Sequence, residues 1–186
     1  MSTELPDKLL NIDGKGADDR DPEPDDEGED EEKARFVVFR IGGTEYGLEV
    51  EQVLSVVESD EYTRLPRSSE AIDGLIDLRG SITAVIDLRI YLDTQNRETE
   101  DQDSRVIVLD RPGDQQGAGL RVDEVLGVES IPVSSIFQKP SPDADVDATA
   151  LSHALVKAVI APAESNRDKQ VSLIDLEGVI QTASSS

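Results

Sequence analysis

The chain contains an internal duplication, which constrains its fold more than any other feature of the sequence. The segment Tyr46–Val56 recurs 72 positions later as Ala118–Val128, with six of eleven residues identical. Flanking segments extend the match on both sides, Arg35–Phe39 with Arg105–Leu109 and Ile86–Leu88 with Ile174–Leu176. Self-similarity of this kind is typical of a repeated structural unit. We therefore predict two copies of one small unit, with the functional surface where they meet.

The composition is strongly acidic and lacks cysteine. Asp and Glu number 41 against 18 Lys and Arg, which gives a formal net charge of -23. Because nucleic-acid binding requires clustered basic residues, we expect no nucleic-acid partner. Charge repulsion of this size is screened only at high salt, so the composition is typical of a halophilic protein. The absence of Cys indicates a cytoplasmic location and excludes disulfides, zinc fingers and thiol nucleophiles.

Residues 1–34 differ from the rest of the chain, because they hold 14 acidic and 4 basic residues and few apolar ones. Such a segment buries too little apolar surface to offset the entropy of ordering, so we predict a disordered acidic tail. No segment of the chain has the run of about 18 apolar residues that crosses a bilayer, so we expect no membrane insertion.

The remaining residues carry a strong strand signal. Short apolar and β-branched runs predict strands at Phe36–Ile41, Glu45–Leu48, Ile72–Leu78, Ile82–Leu88, Val106–Asp110, Leu120–Val122, Val125–Ile131, Leu155–Ile160 and Val171–Ile174. Gly42-Gly43 predicts a hairpin turn, Arg79–Ser81 a tight connection, and Glu51–Leu54 a helical turn that is followed by another strand into Val57. Asp175 predicts the N-cap of a short C-terminal helix. Strands this short, in units of about 60 to 80 residues, indicate an all-β fold of two small barrels.

Two polar stretches divide this body. Thr94–Ser104 contains no aliphatic residue and is the predicted linker between a first lobe, about 35–93, and a second lobe, about 105–183. Lys139–Thr149 contains two Pro, three Asp and a single Val, and is predicted to be a mobile loop of the second lobe.

Two carboxylates at equivalent positions are the main candidates for catalysis. If the duplication brought Asp87 and Asp175 together, they would share a proton and activate water, as in an aspartic-type hydrolase. The residues that follow, Leu88-Arg89 and Leu176-Glu177, are not the small residue and Gly that turn such a loop inward. The alternative is that each carboxylate caps the helical turn after its strand. His153 has no second His or Cys with which to share a metal, so we interpret it as structural.

Arg79 is the strongest candidate for contact with a partner. It follows the predicted strand Ile72–Leu78 and precedes Gly80, so its guanidinium is held in place and can bind a carboxylate or backbone carbonyls. The alternative is an internal salt bridge to Asp77 or Asp87. An apolar lining around it would come from both lobes, namely from Val53, Ile76, Ile82, Val122 and Val125.

The motifs together resemble the CheW family of chemotaxis coupling proteins. The similar segments are Phe39–Val50 with its Tyr46-Gly47, Gly74–Gly80 beside the family's Gly-Val-Ile-Asn-Leu-Arg-Gly signature, Val85–Arg89 and Gly119–Asp123. The resemblance covers about residues 35–183 and implies two five-stranded barrels, similar to SH3 domains, around a hydrophobic groove. It further implies a scaffold without catalysis or cofactor, at receptor arrays beneath the membrane. Its implied partners are chemoreceptors (methyl-accepting chemotaxis proteins) and the histidine kinase CheA.

The resemblance also assigns roles to individual residues. Arg79 and Gly74 match positions tied to receptor and kinase coupling, and Val53 matches an apolar position used against the kinase. Gly119 and Val125 match positions tied to receptor binding. We therefore expect the protein-binding site to include these five residues.

Three residues depart from the family pattern. Asp77 replaces the usual Asn, Ala84 a common Pro, and Ser55 an acidic residue, so no charge contact with the kinase carries over at Ser55. Because the regulatory domain of CheA has the same fold, a kinase fragment is one alternative. A generic peptide-binding module outside chemotaxis is another. The chain has no ATP-binding or phosphoacceptor segment, which favours a free-standing adaptor.

Overall fold

Short strands joined by tight turns form the body of the chain, as its β-branched runs predict. The structure, a computed structural model, describes residues 31–58, 62–65, 71–92, 104–113, 116–138, 153–161 and 170–185. The first half contributes β1 (Lys33–Ile41), β2 (Thr44–Glu49), β3 (Val53–Glu58), β4 (Tyr62–Arg64), β5 (Ile72–Leu78) and β6 (Ser81–Asp87). The second half contributes β7 (Arg105–Leu109), β8 (Gly117–Val122), β9 (Glu124–Pro132), β10 (Ile136–Gln138), β11 (Val156–Ile160), β12 (Val171–Ile174) and helix α1 (Leu176–Ser184).

Among the described residues, three short helical turns connect strands or follow them. They are the 3-10 helices Val50–Gln52, Leu88–Ile90 and Val133–Ser135. Residues 1–30, most of the predicted linker and the predicted loop of the second lobe lie outside the described residues. Their predicted disorder and mobility therefore stay predictions. Lys33 and Ala34, which were assigned to the tail, instead begin β1, because they pair with Pro132 and Ile131 of β9.

The strands form two six-stranded sheets, and each sheet contains strands from both halves of the chain. Sheet A has the order β10-β11-β12-β2-β1-β9, and sheet B, read from β4, has the order β4-β5-β6-β8-β7-β3. Equivalent strands of the two copies, such as β2 and β8, therefore occupy the same place in opposite sheets. The pairing differs from a simple division of the chain at the linker, because hairpin β1–β2 joins strands of the second half and hairpin β7–β8 joins strands of the first.

Short connections explain this exchange. Three residues separate β2 from β3, and Asp123 alone separates β8 from β9. The commonest tight hairpin uses a loop of two residues, so Asp123 alone does not give β9 the turn that would pair it back onto β8. Each strand after a hairpin therefore enters the opposite sheet, and the exchanged hairpins are held by the parallel pairs β12–β2 and β6–β8.

The buried side chains form one shared core and two separate ones. The central cluster takes residues from both sheets and from α1, among them Phe39, Leu48, Leu88, Leu120, Ile174 and Val179. A second cluster belongs to sheet A alone and contains Phe36, Val38, Ala158, Ile160, Val171 and Leu173. A third belongs to sheet B alone and contains Ile76, Val85 and Val106. The central core thus joins the two sheets, and each sheet also has a separate core on its other face.

The predicted all-β class, with short helical turns and a short C-terminal helix, is confirmed. Two strands of three residues each, β4 and β10, were missed because so short a segment carries no recognisable alternation. Each sheet has six strands rather than the five per barrel that the resemblance implied, because the edge strands β3 and β9 continue the hydrogen-bonded ladders.

Candidate functional site

An apolar groove lies between sheet B and helix α1. It has a volume of about 510 Å³. Its walls are lined by Leu65, Ile72, Leu75, Ala84, Ile86, Arg111, Gln116, Gly117, Ala118, Ile180, Ala183 and Ser184. Since α1 follows strand β12 of sheet A, the groove lies where an element of one sheet packs against the other.

The alternation of side chains along the strands determines which residues form the groove floor. Leu75, Ala84 and Ala118 are register partners across β5, β6 and β8, so they lie in one row on one face of sheet B. Ile76 and Val85 alternate with them and point into the separate core behind the sheet. Two of the three residues in the row are alanines, and their small side chains leave the row open.

Arg79 lies at the tip of hairpin β5–β6, beyond the groove floor. Arg79 has φ +54° and Gly80 has φ +88°, as the two-residue turn requires. For Arg, which carries a Cβ, this left-handed conformation is strained by about 1 kcal/mol. The backbone N–H of Gly80 donates to Oδ1 of Asp77 at 2.7 Å, which stabilises the turn. The tip is therefore a defined turn that presents a charged side chain.

The Arg79 side chain is exposed to solvent. Within the described part of the chain it makes no ion pair with Asp77 or with Asp87, so the predicted internal salt bridge is not formed. Ile82 follows on the same hairpin and is 47% exposed. It lies on the same face of β6 as Ala84 and Ile86, so the apolar face continues from the groove toward Arg79.

Four of the sequence-predicted site residues are buried. Ile76 is completely buried in the core behind sheet B, and Val122 is completely buried in the central cluster. Gly74 and Gly119 are buried backbone positions that both pair with Val85. Neither Ile76 nor Val122 belongs to the apolar surface predicted for them, because strand alternation turns both side chains inward.

Val53 and Val125 occupy equivalent positions at the starts of the edge strands β3 and β9. Both are partly buried and pack against the central cluster. The next residues along each strand are more exposed, in the equivalent pairs Leu54 and Val56 of β3 and Leu126 and Val128 of β9. Sequence reasoning missed these four residues, although the repeated Val-Leu-X-Val pattern placed apolar residues on both faces of each strand.

The two candidate catalytic carboxylates cap helical turns, as the alternative predicted. Oδ1 of Asp87 accepts from the backbone N–H of Arg89 at 2.9 Å. Oδ1 of Asp175 accepts from the backbone N–H of Gly178 at 3.2 Å. Each carboxylate thus caps the helical segment that follows it in the chain.

His153 joins two distant parts of the chain. Its Nε2 lies 2.8 Å from the carbonyl oxygen of Tyr91, and the backbone N–H of Leu155 donates to its Nδ1 at 3.2 Å. These contacts agree with the predicted structural role. Among the described residues no cluster of His, Cys, Asp or Glu could hold a metal ion. Nor is any helix in the described ranges long and apolar enough to cross a membrane.

Known proteins are similar to this chain in both sequence and structure. It is 33% identical to the chemotaxis protein CheW of Klebsiella aerogenes over 108 residues, which cover 58% of this chain and 62% of that protein. It is 35% identical to CheW of Bacillus subtilis over 106 residues, which cover 57% of this chain and 66% of that protein. Each match thus spans slightly less than two thirds of the relative's length.

A solved structure extends the likeness to most of the described body. The crystal structure of the scaffolding protein TtCheW from Thermoanaerobacter tengcongensis matches with a TM-score of 0.61 and 34% identity. The match covers 78% of this chain and 90% of that one. The family model for the CheW-like domain matches residues 35–184. With its duplicated strands, exchanged hairpins and exposed arginine turn, the chain belongs to the CheW-like domain family.

Proposed function

We propose that the chain is a non-catalytic chemotaxis adaptor that joins the cytoplasmic tips of chemoreceptors to the histidine kinase CheA at arrays beneath the membrane. CheW relatives and the TtCheW scaffolding protein support an adaptor in chemotaxis. The exposed, strained Arg79 at the end of an apolar face is the observation that carries the site assignment. Strained residues cluster at sites that contact other molecules, and within the described ranges Arg79 forms no ion pair with Asp77 or Asp87.

The groove and the hairpin tip together define the chemistry of the proposed receptor contact. The floor offers Leu75, Ala84 and Ala118 to apolar side chains, and Ile82 extends this surface. An amphipathic helix of a receptor tip fits such a surface when its apolar face lies on the floor. A carboxylate or a helix-terminal carbonyl at the end of that helix would pair with Arg79.

The proposed kinase contact lies on the edge strand β3. Leu54 is 66% exposed and Val56 is also exposed, which is unusual for two apolar residues on one strand. Val53 packs underneath against the central core. Barrel domains of the kinase would cover this edge, and Val53 would position it.

The capping roles of Asp87 and Asp175 support an adaptor without catalysis. A carboxylate that accepts a backbone N–H at its own helical turn is held where the turn needs it. Paired carboxylates that activate water must instead share a proton across a short distance. No observation favours the hydrolase alternative.

The proposed receptor contact is tested by changing Arg79. We expect Arg79→Gly to weaken binding to a receptor-tip fragment at least tenfold, because a charge-assisted hydrogen bond contributes about 1.5 to 3 kcal/mol. The same change removes the left-handed strain, so urea denaturation should show stability unchanged or raised by up to about 1 kcal/mol. Fluorescence anisotropy of a labelled receptor fragment measures the binding.

Arg35→His is the matched control, because Arg35 is an exposed arginine on β1 of sheet A. Arg79→His should weaken receptor binding, whereas Arg35→His should not. Val53→Met should weaken binding to the kinase regulatory domain in a pull-down and leave the receptor affinity unchanged. If Arg79→His and Val53→Met together leave both interactions intact, the site assignment is wrong, and partners outside chemotaxis become the better explanation.

A further inference from the structure

The groove is open in sheet B, but its equivalent in sheet A is closed. Leu75 and Ala84 are only partly buried and line the groove. The equivalent residues of sheet A are Val159, which is completely buried, and Ser172, which is 3% exposed. The equivalence follows from the pairing, because Leu75 pairs with Ala84 as Val159 pairs with Ser172. The duplication therefore gives two copies of this face, of which only one is accessible.

Each of these residue pairs continues into a third register partner on the next strand, and the two sheets differ most at this third position. In sheet B the row continues from Ala84 to Ala118, and in sheet A it continues from Ser172 to Tyr46. Ala118 and Tyr46 begin the repeated segments and are equivalent in sequence as well. At this position one sheet carries a methyl group and the other a phenol ring.

The ring of Tyr46 is part of the central core. Tyr46 is 6% exposed and stacks on Phe39, with ring centroids 6.2 Å apart. The equivalent of Phe39 is Leu109, so sheet B lacks both rings at this level. Ala118 lines the groove directly, and a larger side chain at this position would project into its volume.

We propose that Ala118 is the residue that keeps the groove open in one sheet only, and that it thereby restricts the docking of the partner helix to sheet B. The identity of that helix, an apolar-faced segment of a chemoreceptor tip that carries an acidic group toward Arg79, rests on the function proposed above. The accessibility of the groove does not depend on that function. Helix α1 lines the groove with Ile180 and Ala183 but leaves it open. Ala118 is 9% exposed and Tyr46 is 6% exposed, so the two positions are similarly buried and differ in the size of the side chain.

Thiol labelling tests the accessibility without any partner, because the chain contains no cysteine. Ala84→Cys places a thiol on the groove floor, where a bulky maleimide should react. We expect the added change Ala118→Tyr to slow this reaction at least tenfold, whereas Ala118→Ser should change it less than twofold. Leu54→Cys, at an exposed position on β3, is the control and should react equally fast with Ala118 or Tyr at position 118.

The converse experiment makes the buried face of sheet A accessible by removing the Tyr46 ring. It can be read even if Ala118→Tyr fails to fold. Ser172→Cys should be unreactive in the parent chain, and Tyr46→Ala should make it reactive at least tenfold faster while circular dichroism shows a folded protein. Ala118→Leu, a smaller addition on the open side, should slow the labelling of Ala84→Cys by an intermediate factor. Unchanged labelling in folded variants of both sheets would overturn the inference.

Partner binding then separates the inference from the proposed function. If Ala118→Tyr blocks labelling of the floor and weakens receptor-fragment binding at least tenfold, both are supported. If it blocks labelling while the fragment binds as before, Ala118 still controls the groove, but the receptor contact lies elsewhere and docking through sheet B is overturned. Arg79→Gly, measured in parallel, shows whether the fragment contacts the hairpin tip at all.

Discussion

Sheets A and B have the same strand order and the same bulges, yet they hold their exchanged hairpins by ion pairs of opposite polarity. In sheet B the bulge between Ile72 and Gly74 places Asp73 opposite Arg121, with the Oδ2 and Nη1 atoms 2.7 Å apart. In sheet A the equivalent bulge places Lys157 opposite Glu49, with Nζ and Oε1 2.6 Å apart. The two equivalent places thus both carry an ion pair, but with the positive and negative side chains exchanged.

The two ion pairs differ in burial as well as in polarity. The Arg121 side chain is 4% exposed, and the Lys157 side chain is 37% exposed. Water therefore screens the pair in sheet A and is largely excluded from the pair in sheet B. The equivalent ion pairs between hairpin and bulge therefore differ in their effect on stability. Breaking the buried pair in sheet B should be costly, whereas the exposed pair in sheet A should contribute little.

The largest predicted effect comes from removing the buried cation. Arg121→Met should lower the free energy of unfolding by about 3 kcal/mol, because it removes the buried guanidinium that pairs with the partly buried carboxylate of Asp73. Lys157→Met in sheet A should lower it by less than about 1 kcal/mol. Urea denaturation followed by circular dichroism measures both changes.

A double variant sharpens this comparison. Adding Asp73→Ala to Arg121→Met removes the uncompensated charge and should recover part of the lost stability, whereas Glu49→Ala added to Lys157→Met should recover nothing measurable. Equal losses for Arg121→Met and Lys157→Met would contradict the difference in burial between the two sheets.

The second prediction concerns two equivalent glycines. A Cβ at Gly119 would lie 2.7 Å from Cγ1 of Val106 and 3.3 Å from the backbone oxygen of Ile107. A Cβ at Gly47 would lie 2.8 Å from Cδ2 of Leu173 and 3.3 Å from Cγ1 of Val171, so its closest contact is the end of a leucine side chain. The end of a leucine side chain moves more easily than a β-branched side chain or a backbone atom, so sheet B is the less tolerant sheet.

We expect Gly119→Ala to lower the stability by about 2 kcal/mol and Gly47→Ala by about 1 kcal/mol, since overpacking a core costs about 1 to 3 kcal/mol. Val106→Ala, combined with Gly119→Ala, removes the clashing methyl group. This double variant should be more stable than the sum of the two single changes predicts, which urea denaturation can detect. Additive effects would show that the clash is relieved in some other way.

The comparison of the sheets also shows what the sequence could predict and what it could not. The duplication, the hairpin at Gly42-Gly43 and the cap at Asp175 followed from local patterns that need only neighbouring residues. The exchange of hairpins did not, because equivalent strands have similar sequences and the choice of sheet depends on which distant strands meet in the folded chain.

The site was predictable to a similar degree. Arg79 was predicted as a contact residue from its place between a strand and a glycine; the structure exposes its side chain, and its role in binding stays a prediction. Ile76 and Ile82 both belong to apolar runs, but one is completely buried and the other is 47% exposed. Which face of a strand is covered depends on packing between distant elements, so apolar character alone could not separate them. The groove floor at Ala84 and Ala118 was missed because small residues give no hydrophobic signal.

The third prediction compares the two caps that end the equivalent strands β6 and β12. Asp175 begins the nine-residue helix α1, whereas Asp87 begins a single 3-10 turn. Asp175→Ala should therefore lower the stability by about 1 kcal/mol, and Asp175→Ser should retain most of it, because Ser is also a good N-cap residue. Thermal unfolding measures the loss. A Ser variant as unstable as the Ala variant would show that charge rather than capping is needed there.

The smallest predicted effect is an alkaline loss of stability that arises in sheet A alone, because the equivalent of Tyr46 in sheet B is Ala118. Burial raises the pKa of Tyr46 above its usual value near 10, although a side-chain hydrogen bond with Thr44 acts in the opposite direction. Since the folded-state pKa lies above the unfolded one, this contribution is fully present below about pH 10 and is lost as the pH rises through the folded-state pKa. The free energy of unfolding of the parent chain should therefore fall more steeply above pH 10 than that of Tyr46→Phe, while the two curves run parallel between pH 7 and 9. Parallel curves throughout would mean that the phenol ionises as easily in the folded chain as in the unfolded one, and that the ring closing sheet A is wetter than its 6% exposure indicates.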